Sequence, residues 1–321
     1  MLVGGMGTRL RPLTLTVPKQ MLPVGGRPMI EHVVEHLAAH GVDEVVLALG
    51  FQPDAFVAAF PDARCCGVRL SYAVEAEPLD TAGAVAFAAS RAGVDETFLV
   101  CNGDVLTDVD LSALVAFHRR RRALATIQLT PVEDPSAFGV VPTDGSGRVL
   151  AFLEKPPPGE APTNLVNGGI YVLEPEVLAT IPAGRRVSIE RETFPGLCGS
   201  GRLYALGSQA AWLDAGTPRS YLEANLLHAE GVPLPAGVAP SAVVERSVVA
   251  PDAWVGERAR VERSVLMAGA RVEPAAVVVE SILGPGAVVG EGASLAELCV
   301  LGAGASVGAG EELVGVRLPE P

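Results

Sequence analysis

The chain has 321 residues, 49% of them hydrophobic and 19% charged, a globular composition with length for about two domains. Its formal net charge of -13 argues against a nucleic-acid partner, because phosphate backbones need clustered cations. No apolar run reaches the ~18 residues of a membrane span.

In chain order, the first motif is Gly4-Gly5-Met6-Gly7-Thr8-Arg9-Leu10-Arg11-Pro12, followed by Pro18-Lys19-Gln20. Glycines let backbone amides approach phosphates, and consecutive amides form an anion-binding nest. Arg9 adds a guanidinium fork for terminal phosphates. The pattern is neither a Walker motif nor a dinucleotide fingerprint. No signal-peptide pattern is read ahead of it, and Met1-Leu2-Val3 alone stands before Gly4. A buried parallel strand usually has ~5–6 residues, so a shortened or misassigned start is expected.

Short apolar runs at 45–49, Val68–Val74 and Phe98–Cys101 alternate with helix patterns at 28–40 (closed by Gly41), 53–60 and 81–92. This alternation implies α/β architecture, a Rossmann-like mixed, mainly parallel sheet with covering helices. Ligands in such sheets sit at the carboxyl ends of strands, where the Gly4 loop and the Asn102-Gly103-Asp104 turn both fall. A helix at 111–122 ends in four arginines, which suit the negative helix C-terminus and read as a solvated face. Asp108 and Asp110 read as capping or turn residues. Five cysteines (65, 66, 101, 198 and 299) without paired spacing read as reduced structural thiols of a cytoplasmic protein. The histidines (32, 36, 40, 118 and 228) fall in no motif and read as helix-surface residues.

Residues 1–231 are thus expected to form one domain, 232–241 a Pro-rich linker and 242–321 a repeat. In the repeat, apolar residues return at Val249, Val255, Val261, Leu266, Val272, Val278, Leu283, Val289, Leu295, Leu301, Val307 and Leu313. Steps are six, with two of five. Ser247, Ser264 and Ser281 recur at nearly three such steps, and Ala253, Ala259, Ala270, Ala287, Ala293 and Ala305 suit tight corners. Hexapeptide repeats of this kind predict a left-handed parallel β-helix.

Lysine is nearly absent. Of 24 Lys and Arg residues only Lys19 and Lys155 are lysines. An ammonium is a compact point charge on a flexible stem and a guanidinium a broad fork, so these two are expected where arginine cannot substitute.

The Gly-rich motif and its Pro-Lys follow-on resemble the signature of the sugar-1-phosphate nucleotidylyltransferases. The likeness continues through Glu77-Pro-Leu-Asp-Thr-Ala-Gly83, Asn102-Gly-Asp104, Phe138-Gly-Val-Val141, Glu154-Lys-Pro156, Asn167-Gly-Gly169 and Trp212-Leu-Asp-Ala-Gly216. It is nearest to mannose-1-phosphate guanylyltransferases, which also carry a hexapeptide β-helix. The resemblance implies that Gly4, Gly5, Gly7 and Thr8 cradle the nucleotide and that Arg9 holds its β- and γ-phosphates. It implies that Lys19 stabilises the α-phosphate and pyrophosphate. Leu79, Thr81 and Gly83 would line the base, with Asn102 and Gly103 beside the nucleotide. Asp104 and Asp214 would hold Mg²⁺. Glu154 and Asn167 would bind sugar hydroxyls, Gly139 and Gly168 would admit the sugar, and Lys155 would bind its phosphate.

Two departures bear on substrate. Gln20 stands where guanylyltransferases usually have proline, and Asp80 replaces a common glycine. The Glu77 to Gly83 stretch resembles the guanylyl branch, so GTP and mannose 1-phosphate are expected. A glucose-1-phosphate enzyme using dTTP or UTP is the alternative, and a non-catalytic NDP-sugar-binding regulatory subunit is the alternative of another class. An acyltransferase site in the repeat lacks a base, because no His or Lys occurs from Val232 onward. The β-helix is therefore read as an element of homo-oligomer assembly.

Overall fold

The apolar β-branched runs assemble into a mixed sheet, seen in a computed structural model that describes residues 1–50, 52–229 and 233–320. The chain divides into two units, Met1–Gly5 with Val33–Trp212, and Met6–His32 with Leu213–Pro321. The expected boundary at 231–232 lies outside the described residues.

In the first unit Glu44–Leu49 and Val68–Val74 pair in parallel, with Arg64–Cys65 as an antiparallel edge. Leu2 bridges in parallel to Ala48 on one side and to Asn102 on the other. Its amide donates to the Cys101 carbonyl at 2.8 Å, and the Ala48 amide donates to that of Met1 at 2.9 Å. The Met1 ammonium donates to the Val46 carbonyl at 2.8 Å, and burial lowers its pKa. A cavity of about 600 Å³ lies there, lined by Val46, Phe98, Val100 and Val85 among others.

Phe98–Cys101 pairs antiparallel with Leu165–Leu173, which pairs antiparallel with Ala125–Pro131; Leu203–Gly207 joins the latter in parallel. Gly139–Val140 and Leu153–Glu154 extend the sheet antiparallel. The sheet is therefore parallel towards its N-terminal strands and antiparallel around Leu165–Leu173. Its core packs Ile127, Tyr171, Phe194 and Leu203, all essentially shut from solvent.

Helix Met29–Ala39 buries Ile30, Val33, Val34 and Leu37 at the spacing of one helical face. Helix Asp80–Ala92 buries small residues, Ala82, Ala84, Ala88 and Ala89, and stops at Gly93, whose φ of 66° suits a left-handed cap. Asp110 caps Leu111–Arg121 by accepting the Ala113 amide at 2.8 Å, as expected. Arg121 at that helix's end stacks over Phe117 and Tyr204. His118 on the same helix corrects the surface reading of the histidines. It is buried, with Nδ1 2.8 Å from Thr126 Oγ1 and Nε2 2.9 Å from Glu174 Oε1. Both ring nitrogens are satisfied, which is what makes burial tolerable.

In the second unit, the repeat forms three parallel sheets, a parallel β-helix. Val255, Val261, Leu266, Val272, Val278, Leu283, Val289, Leu295 and Leu301 stack in its interior, each 1% exposed or less. Ala253, Ala270, Ala287 and Ala293 are buried just after tight turns, each amide donating three residues back. The Val255 amide donates to the Gly237 carbonyl and the Ala239 amide to that of Val255. Part of the segment read as linker is therefore already coil.

The serine spacing has a specific cause. The residues before Ser247, Ser264 and Ser281 (Arg246, Arg263 and Glu280) all have φ of 43–47°. Each corner turns the following serine inward. Ser264 Oγ donates to the Glu262 carbonyl at 2.7 Å and accepts the Ser281 amide at 3.0 Å; Ser247 Oγ accepts the Ser264 amide at 3.0 Å. At the next corner Glu297 and Leu298 both take positive φ, the coil is one residue longer, and Cys299 occupies the inward position. Among the described residues no helix is long and apolar enough to cross a membrane.

Ser264→Ala leaves the Ser281 amide without its acceptor inside the coil. We expect it to cost about 1–3 kcal/mol in urea unfolding of the full chain. An unchanged unfolding midpoint would mean the serine ladder adds no stability.

Candidate active site

The expected site residues fall in both units. Gly4, Gly5, Leu79, Thr81, Gly83, Asn102, Gly103, Asp104, Gly139, Glu154, Lys155, Asn167 and Gly168 belong to the first; Gly7, Thr8, Arg9, Lys19 and Asp214 belong to the second.

In the first unit, the Asn102 amide donates to the Gly169 carbonyl at 2.9 Å and the Gly103 amide to that of Leu2 at 3.0 Å. The turn that carries the buried Asp104 is thus tied to two neighbouring strands. Gly4 approaches Gly50 closely, and Gly5 is exposed. The Asn167 side chain accepts the Gly169 amide at 3.0 Å and donates to the Tyr171 hydroxyl at 2.9 Å. The sheet register shifts between Asn167 and Tyr171. Trp212 Nε1 donates to the Gly168 carbonyl at 2.9 Å. These bonds fix the Asn167-Gly168-Gly169 bulge.

Glu154 pairs across the sheet with Gly139, where a Cβ would stand 3.2 Å from Glu154 Oε2. Lys155 follows at φ 51°, its amide donating to the Phe138 carbonyl at 3.0 Å and its Nζ 3.8 Å from Glu154 Oε1. A lysine in the left-handed region is strained, and its side chain is largely exposed. Burial raises the pKa of Glu154, the nearby Glu190 carboxylate raises it further, and Lys155 and Arg191 offset this in part.

The segment from Leu79 to Gly83, expected to line the base, is held by backbone bonds. The Leu79 amide donates to Glu75 at 2.9 Å, the Val187 amide to the Leu79 carbonyl at 2.9 Å, and the Ala82 and Gly83 amides to the Val187 carbonyl. Asp80 takes φ 62° and its carboxylate accepts the Thr81 amide at 2.8 Å. Asp is among the few side chains that tolerate this region, so it can stand where glycine is common.

Glu190 was not visible as a site residue from the sequence. It accepts the Thr81 and Ser188 hydroxyls, both at 2.7 Å, and its charge acts on Glu154 and Tyr171. It lies in a single irregular turn, Ile189–Thr193, with no periodic pattern or motif to mark it.

In the second unit, Gly7 turns the Gly-rich loop at φ 60°, and a Cβ there would meet Thr14 Cγ2 at 2.9 Å. Its carbonyl accepts the Thr14 hydroxyl and the Leu10 amide. Thr8 and Arg9 open the short helix Thr8–Leu10 and are exposed; Lys19 opens Lys19–Met21 and is half-buried. Gln20 is 1% exposed, so its side chain faces the interior of the unit. Asp214 accepts the Gly216 amide at 2.8 Å, while Thr217 caps helix Pro218–Leu226 in a capping box with Ser220. A Cβ on Gly216 would stand 2.7 Å from both Arg9 Nη2 and Asp214 Oδ1, so this glycine lets the guanidinium and carboxylate converge.

Among the described residues no three His, Cys, Asp or Glu side chains group as a metal cage.

Known proteins resemble this chain. Residues 1–231 match the nucleotidyl transferase family and residues 232–316 the GMPPB C-terminal domain. A mannose-1-phosphate guanylyltransferase of Mycobacterium tuberculosis is 41% identical over 288 residues, covering 84% of this chain and 79% of that protein. A mannose-1-phosphate guanyltransferase of Aspergillus fumigatus is 43% identical over 231 residues, covering 71% of this chain and 63% of that one. Among solved structures, HddC from Yersinia pseudotuberculosis complexed with GMP-PN has a TM-score of 0.60 and 26% identity, over 70% of this chain and 96% of its own. With 231 of its 321 residues matched, the chain belongs to the nucleotidyl transferase family.

Proposed function

We propose that the chain transfers a guanylyl group from GTP to mannose 1-phosphate, giving GDP-mannose and pyrophosphate. The observation that carries this is the 41% identity to the mycobacterial mannose-1-phosphate guanylyltransferase across 84% of the chain. The backbone-held segment from Leu79 to Gly83 supports a base read largely through main-chain groups. The catalytic domain is taken as 1–231, with 242–321 as the β-helix. A reaction that consumes a nucleoside triphosphate fits a cytoplasmic location. Exposed Val243 and Val314, in the first and last strands of one β-helix sheet, support self-association.

In the proposed reaction a phosphate oxygen of mannose 1-phosphate attacks the α-phosphorus of GTP. The bond to the β-phosphate breaks, and its electrons leave with pyrophosphate. The nucleophile is already ionised, so no general base is required. Positioning and charge neutralisation provide most catalysis of this kind. Lys19 neutralises the α-phosphate and the departing group, Arg9 holds the β- and γ-phosphates, and Lys155 holds the sugar phosphate. Glu154 and Asn167 orient the sugar hydroxyls. Enzymes of this family generally use a divalent metal; Mg²⁺, which Asp104 and Asp214 would hold, neutralises phosphate oxygens when bound.

Pyrophosphate release measured with five NTPs against mannose, glucose and N-acetylglucosamine 1-phosphates should be fastest for GTP with mannose 1-phosphate. Preference for dTTP or UTP with glucose 1-phosphate would replace this reading, and no release with any pair would overturn it. Lys19→Arg and Lys155→Arg should each lower kcat roughly 100-fold despite keeping the charge. Near-normal turnover in either variant would make that lysine a compositional accident.

The raised pKa of Glu154 gives a pH dependence. Its ionised carboxylate is the stronger acceptor of sugar hydroxyls, so KM for mannose 1-phosphate should rise as pH falls through that raised value. For stability the sign is opposite: the fold favours the neutral acid, and its contribution is full below the unfolded pKa and lost as pH rises through the folded one. KM followed as pH is lowered from neutrality should show an acid limb that Glu154→Gln lacks. The same limb in both proteins would assign the titration elsewhere.

A further inference from the structure

The phosphate loop packs with the C-terminal repeat within the second unit. Helix Thr8–Leu10 is a single turn and is too short to satisfy its own trailing carbonyls. Arg317, on the last β-helix strand Arg317–Leu318, supplies donors there. Its Nη1 donates to the Arg9 carbonyl at 3.1 Å and approaches that of Arg11 at 3.4 Å.

A second contact reaches the same segment. A Cβ on Gly302 would lie 3.0 Å from Pro12 Cβ and 3.2 Å from Pro319 Cδ, so the coil backbone already touches Pro12. The Gly302 amide donates to the Leu318 carbonyl at 2.6 Å, tying this coil to the Arg317 strand. The Arg9 backbone is thus tethered by Arg317, while its guanidinium, like the Asp214 carboxylate, lies against Gly216.

We propose that Arg317 is a positioning residue for the nucleotide phosphates. By holding the carbonyls of Arg9 and Arg11 it fixes the backbone from which the Arg9 guanidinium reaches them. The last coil of the β-helix is then part of the catalytic apparatus. This rests on the assignment of Arg9 to the β- and γ-phosphates.

The test uses the full chain with Arg317→Met, which keeps length and removes every donor, Arg317→Lys, which restores one point donor, and Gly302→Ala, which presses on Pro12 with Arg317 intact. Pyrophosphate release gives kcat and both KM values, calorimetric titration gives GTP affinity without turnover, and thermal unfolding reports integrity. Arg317→Met should raise KM and Kd for GTP about 10-fold and leave KM for mannose 1-phosphate within about twofold. Arg317→Lys should recover part of the loss, and Gly302→Ala should move the same constants in the same direction. Unchanged GTP affinity in Arg317→Met overturns the proposal. So does an equal rise in both KM values with a lowered unfolding midpoint, which would make Arg317 a structural support only. A wild-type chain that binds GTP but never releases pyrophosphate would overturn the functional reading, and the calorimetric comparison would still decide the role of Arg317.

Discussion

Repulsion between two phosphate-bearing anions is the constraint on which the proposed chemistry depends. Two unit charges 4 Å apart repel by about 4 kcal/mol at an effective dielectric constant of 20, and each substrate carries more than one. The chain as a whole is strongly acidic, so its long-range field gives no help. Ionic strength screens that field beyond roughly 8 Å, which leaves the outcome to the cations nearest the phosphates. In the proposed reaction Arg9, Lys19 and Lys155 take that role, each presented by a tight turn or a single helical turn.

The same region accepts unfavourable local terms. Lys155 sits at positive φ, which costs about 1–2 kcal/mol for a residue with a Cβ. Glu154 is partly desolvated with Glu190 nearby. These costs are carried by a sheet whose core around Ile127, Tyr171 and Phe194 is fully buried, and by hydrogen bonds that over-determine the strand ends. Strain persists where the surroundings leave the chain no alternative.

Much of the architecture was legible because it is periodic. An aliphatic residue at nearly every sixth position must face the interior of a coil, and the serine spacing registers one coil on the next. Helix ends at Asp110 and Gly93 follow from local capping chemistry. Strand direction was less legible: Ile170 to Leu173 is a continuous apolar run like those of the parallel strands, and nothing in such a run encodes antiparallel pairing. His118 has the polarity of a surface residue, and only Thr126 and Glu174, brought in by tertiary folding, make its burial affordable. Glu190 bonds Thr81, 109 residues away, and Arg317 bonds Arg9, 308 residues away, so no window of sequence could connect these pairs. The signature motif was legible, but not that its backbone packs with the repeat.

That packing also orders events during synthesis. Arg317 and Arg9 are 308 residues apart, so the loop made first can acquire its tether only when the last coil has been made. At 5–20 residues per second the interval is roughly 15–60 s. A nascent chain therefore carries its Gly-rich loop without this tether through most of translation, and a ribosome that stops short of strand Arg317–Leu318 releases a protein with the whole signature motif and without the Arg317 bond to it.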